Sequence, residues 1–105
     1  MTPNWEWRQR SGAEWDLVVR GDLDVAIGVE FVDAVEERLQ ADDAPRRVTV
    51  DLSEVEFIDS SGLRALLQLQ QNYDDRVRIG TVSAAVQRLL ELTGTLEAFH
   101  LRESD

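Results

Sequence analysis

The feature that most constrains this fold is a regular change in the period of the apolar residues along the chain. Trp5-Glu6-Trp7-Arg8 alternates apolar and polar at every second position, and Trp15 to Arg20 follows as a second strand-like run. Val25, Val29, Val32, Val35 and Leu39 then recur every three or four residues. Val48 to Leu52 returns to alternation, and Leu63, Leu66, Leu67 and Gln70 share one helical face with Ala65 and Leu69 beside it. Arg76 to Val82 alternates again, and Val86, Leu89, Leu90 and Thr93 regain the helical spacing. A period of two buries one face of a strand, whereas a period of 3.6 lines one face of a helix. The predicted order is therefore strand, strand, helix, strand, helix, strand, helix. Strands separated by helices pair in parallel through right-handed crossovers, and the two opening strands form a hairpin about Ser11-Gly12-Ala13. An α/β sheet with an antiparallel strand at one side is the expected class.

Boundaries follow from local chemistry. Gly21-Asp22-Leu23-Asp24 interrupts the strand pattern, and Asp24 suits an N-cap for the first helix. Asp42-Asp43-Ala44-Pro45 closes that helix, since the residue before a proline is pushed out of helical geometry. Ser53 to Ser60 is expected to be a tight connection containing Val55, Phe57 and Ile58. Gly94 stands where a left-handed helix terminator belongs, and Leu96, Phe99 and Leu101 are expected to close over the core. The alternating tryptophans fit cross-strand packing better than a binding platform.

With 105 residues the expectation is a single domain over residues 1–105. The absence of cysteine removes disulfides, thiolate metal sites and cysteine nucleophiles. All 11 basic residues are arginine, which removes a phosphate-loop lysine, a Schiff base and an ammonium base. The one histidine, His100, has no sequence neighbours that would make it a ligand or a triad member. No cofactor or metal is therefore expected. The 21 acidic residues set a net charge of -10, which repels nucleic acid and favours basic protein surfaces. No signal-peptide core or membrane-length apolar run is present, so no membrane association and a cytoplasmic location are expected.

The segment Asp51 to Leu63 carries the chemistry. A strand gives way to an apolar helix at Asp59-Ser60-Ser61-Gly62, where either serine could cap free helix amides and Asp59 suits the helix dipole. Gly62 removes a side chain beside the serines, which would let another molecule come close. Local physics leaves two roles open for Ser60 and Ser61: plain N-caps, or hydroxyls presented to a partner.

Three segments in order resemble the STAS domains of bacterial anti-sigma factor antagonists and sulphate transporters. They are Gly21-Asp22-Leu23-Asp24, Val50-Asp51-Leu52-Ser53 with Phe57-Ile58-Asp59-Ser60-Ser61-Gly62-Leu63, and Val82-Ser83 through Leu92-Thr93-Gly94 to Phe99. The resemblance implies a STAS-like α/β fold, with about four strands in a mixed sheet and the helices packed on one face. It implies an anti-sigma factor antagonist that binds an anti-sigma factor with a histidine-kinase-like ATPase fold while unphosphorylated, and so releases a sigma factor. Phosphorylation at Ser61, with Ser60 as second choice, would end that binding, and a serine phosphatase would reset it. Asp24, Asp59, Ser60, Ser61, Gly62 and Leu63 match the family's partner-binding positions, and the expected state is a monomer or weak dimer. The chain departs from the family at Val25-Ala26-Ile27-Gly28, where many relatives carry a hydroxyl residue, and after Ser83, where a proline is common.

Three rivals remain. One is a STAS interaction module of a transporter or lipid-transport complex that is never phosphorylated. Another is a receiver domain phosphorylated at Asp59 beside Asp22 and Asp24, against which the missing lysine counts. The last is an enzyme built on Asp51, Glu54 and Glu56, which are more simply a solvated edge.

Overall fold

The structure is a computed structural model that describes residues 5–73 and 75–95. Its elements run β1 (Trp5–Ser11), β2 (Glu14–Leu23), α1 (Val25–Leu39), β3 (Arg47–Ile58), α2 (Ser60–Asn72), β4 (Val77–Val82) and α3 (Ala84–Thr93). The four strands form one sheet in the order β1-β2-β3-β4. β1 and β2 pair antiparallel, and β2–β3 and β3–β4 pair parallel. This is the mixed α/β sheet that the change of period predicts.

Register explains the core. Trp7 stands opposite Leu17, Leu17 opposite Val50, and Val50 opposite Ile79, so one apolar row crosses all four strands. Both parallel crossovers step in the same direction along the sheet. Right-handed connections of that kind place α1 and α2 on the same face. Val86 and Leu90 of α3 enter the same core as Leu17, Val50, Phe31 and Leu66. Burying each of these large side chains contributes about 1.5–3 kcal/mol. Trp5 and Trp7 pack against the core from β1, and the Trp5 ring meets Phe31 of α1 edge-on at 5.9 Å and 69°. Arg38 of α1 lies 5.4 Å over the Trp15 ring. The tryptophans therefore do pack, as their alternation suggests. Beside them, Glu6, Arg20 and Glu54 of three adjacent strands join in exposed ion pairs of 3.1 and 3.0 Å.

Three expectations need correction. β2 continues through Gly21-Asp22-Leu23 instead of ending near Arg20; Gly21 takes φ 75°, open to glycine at little cost, where the ladder shifts register. β3 continues to Ile58, so Ser53 to Ile58 is strand and not a connection. Two bulges hide it: β3 gains a residue between the partners of Val18 and Arg20, and another between those of Gly21 and Asp22. Its buried residues Leu52, Val55 and Ile58 thus fall every third position, which does not look like a strand. The third correction concerns α1. Its buried face is Gly28, Phe31, Val32, Val35 and Leu39, whereas Val25 and Val29 stand 64% and 63% exposed.

α3 ends as predicted, on Gly94 at φ 70°. The closing residues Leu96, Phe99 and Leu101, and His100, lie outside the described residues. No helix among the described residues is long and apolar enough to cross a membrane.

Candidate functional site

The last residues of β2 and β3 are paired, Leu23 against Ile58. The next residue in each strand begins a helix, so two helix N-termini open side by side at the C-terminal edge of the sheet. Asp24 caps α1, its Oδ1 accepting from the amides of Ala26 and Ile27 at 3.1 Å each. Asp59 caps α2, its Oδ1 accepting from the Gly62 amide at 3.0 Å. Each carboxylate satisfies amides that the first helical turn leaves without partners, and lies at the positive end of the dipole.

The structure decides which residue caps α2. The cap of α2 is Asp59, and Ser60 and Ser61 fill the first two helical positions. Neither serine hydroxyl hydrogen-bonds to any described residue. Ser60 is exposed and Ser61 half-buried. A hydroxyl that is not needed to hold its own helix is free for chemistry with a partner.

Gly62 has a different role from the one its position suggests. A Cβ there would overlap the Leu23 carbonyl oxygen and come within 3.0 Å of Ile58 Cγ1. The glycine lets α2 start hard against the end of β2, and the space it leaves is already filled. Leu63, 6% exposed, also faces the core. Of the six residues assigned to a partner surface by resemblance, Asp24, Asp59, Ser60 and Ser61 reach solvent, while Gly62 and Leu63 support them from within.

Other residues that the motif did not indicate lie beside Ser61. α1 crosses α2 at Gly28, where a Cβ would lie 3.5 Å from that of Ala65 and 3.6 Å from the Ser61 carbonyl oxygen. Beside this contact runs an open groove of about 320 Å³, lined by Val25, Val29, Asp33, Ser61, Arg64 and Gln68 among others. The only sequence signal for Val25 and Val29 was their helical spacing, which also assigned them to the core. Arg64 could have been found from its place three residues after Ser61, where helix geometry brings side chains together.

The rival chemistries fare less well. Asp24 and Asp59, needed by a receiver domain, are committed to their own helix amides. The strand order 1-2-3-4 also differs from the 2-1-3-4-5 of flavodoxin-like receivers. Glu54 is held by Arg20 at 3.0 Å, and Asp51 accepts from the Ser53 amide, so these carboxylates make no acid–base pair. No group of metal-ligating side chains occurs among the described residues.

Comparison with known proteins adds to this geometry. The family model described as "Mlab, STAS domain" matches residues 8–101. The anti-sigma-B factor antagonist of Staphylococcus aureus is 33% identical over 93 residues, covering 85% of this chain and 83% of that protein. The anti-sigma-F factor antagonist RsfB of Mycobacterium tuberculosis is 30% identical over 92 residues, covering 86% and 67%. An anti-sigma factor antagonist from Mycobacterium paratuberculosis shares the fold with a TM-score of 0.78 at 22% identity, over 95% of this chain and 85% of that one.

Proposed function

The chain belongs to the STAS domain family, and from that premise we propose that it is an anti-sigma factor antagonist switched by phosphorylation at Ser61. The supporting observation is the uncommitted Ser61 hydroxyl. Asp59 caps α2, so the serine can gain or lose a phosphate without unmaking the helix start. The relatives in Staphylococcus and Mycobacterium, named as antagonists of anti-sigma factors, support the partner class.

The unphosphorylated protein binds an anti-sigma factor with a histidine-kinase-like ATPase fold and so frees a sigma factor. In the kinase step the terminal phosphorus–oxygen bond of ATP breaks and ADP leaves. The Ser61 Oγ–phosphorus bond forms, and the hydroxyl proton passes to a base on the kinase. A serine phosphatase hydrolyses the product and restores binding. Phosphoserine adds about -1.5 to -2 charges. Asp24 and Asp59 already place carboxylates at both helix starts. At roughly 5 Å and an effective dielectric near 20, each repels a unit of phosphate charge by ~3 kcal/mol before salt screening. The helix dipole and free amides offset part of this within the domain. At an interface, a newly buried and unpaired charge costs several kcal/mol, enough to end binding.

The test is incubation with the co-purifying partner and ATP, read by intact mass and site mapping. Ser61→Ala should bind without gaining phosphate, and Ser61→Asp should lose binding while keeping its stability. If Ser61→Ala takes up phosphate as fast as the parent, the acceptor is another residue, with Ser60 the next candidate. The second reading, a STAS interaction module that is never phosphorylated, rests on the groove, which is formed without any phosphate. A complex that forms with no mass gain for the parent protein selects it.

A further inference from the structure

We propose that Arg64 receives the phosphate on Ser61 within the same helix, so that modification also withdraws the groove's cation from a partner. The inference rests on the reading of Ser61 as phosphoacceptor. Ser61 and Arg64 are three residues apart on α2 and line the same groove. At that spacing their Cβ atoms are about 5–6 Å apart. Helical side chains lean toward the N-terminus, which carries the Arg64 guanidinium back over Ser61.

Arg64 is available for this role. It is exposed, and it makes no hydrogen bond or ion pair with the described residues. Arg8, Arg10, Arg20, Arg38 and Arg47 are engaged with carboxylates, whereas Arg64, like Arg46, Arg78 and Arg88, has no such partner among the described residues. It is also the one cationic side chain lining the groove among the described residues. Guanidinium pairs with phosphate through two parallel hydrogen bonds, and arginine keeps its charge at any physiological pH. Asp33 lines the same groove, and Asp24 and Asp59 cap the two helix starts beside it. Without a cation the phosphate would meet only like charge and the helix amides. With Arg64 drawn onto it, an acidic group of a partner loses its counter-charge while the new negative charge repels it.

The test uses the full chain with phosphoserine installed at position 61 during translation, so no kinase is required. Phosphorus NMR follows the second ionisation of the phosphate as pH is raised, in the parent, in Arg64→Gln and in Arg78→Gln. Arg78 lies on β4, away from the groove, and removes the same charge. Arg64→Gln should raise the phosphate pKa by about 0.2–0.4 unit, in line with an exposed pair on one helix, and Arg78→Gln should leave it in place. Equal shifts in the two variants, or none in either, overturn the contact. A kinase reaction on the unmodified protein, mapped by mass, tests the acceptor itself. Phosphate found elsewhere there refutes the Ser61 reading without altering the NMR result, so the two failures are distinguishable.

Discussion

Gly62 abuts the carbonyl oxygen of Leu23 so closely that no Cβ fits between them. The end of one strand and the first turn of the helix that follows its neighbour are thus locked together, and the two capped helix starts keep a fixed spacing.

That contact makes Gly62→Ala a severe change. The added methyl meets backbone, which cannot rotate away, and the loss should be about 2–4 kcal/mol by urea denaturation. Gly28→Ala is the contrast. Its methyl would lie at an ordinary 3.5 Å from Ala65 in a helix interior, where replacing glycine gains about 0.5–1 kcal/mol. A neutral Gly62→Ala would show that the helix start is free to move.

The caps make a second contrast. Asp59→Ala should cost about 1 kcal/mol, and Asp24→Ala a similar amount, because each leaves first-turn amides without an acceptor. Ser60→Ala should stay within about 0.5 kcal/mol, as expected of an exposed residue outside the cap. Thermal melts of the three variants check this, and a large loss on Ser60→Ala would return the capping role to the serine.

Val25 and Val29 are exposed and line the groove beside Ser61, and their value to the fold alone is small. Val25→Ser combined with Val29→Ser should leave the melting temperature within a few degrees and weaken partner binding at least about tenfold, ~1.4 kcal/mol. Titration calorimetry against the purified anti-sigma factor reads the affinity. Unchanged affinity would place the interface elsewhere.

On β1, Arg8 and then Arg20 hold the Glu6 carboxyl below the usual carboxylate range by hydrogen bonding and charge. A carboxyl depressed in the folded state contributes stability that is fully present above its unfolded pKa and is lost as pH falls through its folded pKa. Carbon-detected NMR should therefore place the Glu6 midpoint below that of an unpaired glutamate. Arg8→Gln should move it upward. An unmoved midpoint would show that the ion pair is not populated in solution.

Much of the fold was legible in the sequence because the change between periods of two and 3.6 is a local property. It fixed the element order, the Asp24 cap and the glycine that ends α3. The motif also marked the strand-to-helix junction at Asp59-Ser60-Ser61. What it could not mark was how far β3 runs. Its two bulges spread Leu52, Val55 and Ile58 to every third position, and only pairing with β2 shows that they belong to a strand.

The same division governs the site. Spacing alone determined that Val25, Val29 and Val32 lie near one side of a helix, and that Ser61 and Arg64 are neighbours on another. Tertiary packing decided what those neighbours do. α1 rests on α2 through Gly28 and on β1 through Phe31, which turns Val25 and Val29 out to solvent. Asp59 reaches the Gly62 amide first, which leaves the serines free. Gly62 is fixed by a carbonyl 39 positions earlier in the chain, a contact that exists only once β2 and β3 are paired. Periodicity specifies which residues share a face, and the meeting of two such faces decides which is core and which is surface.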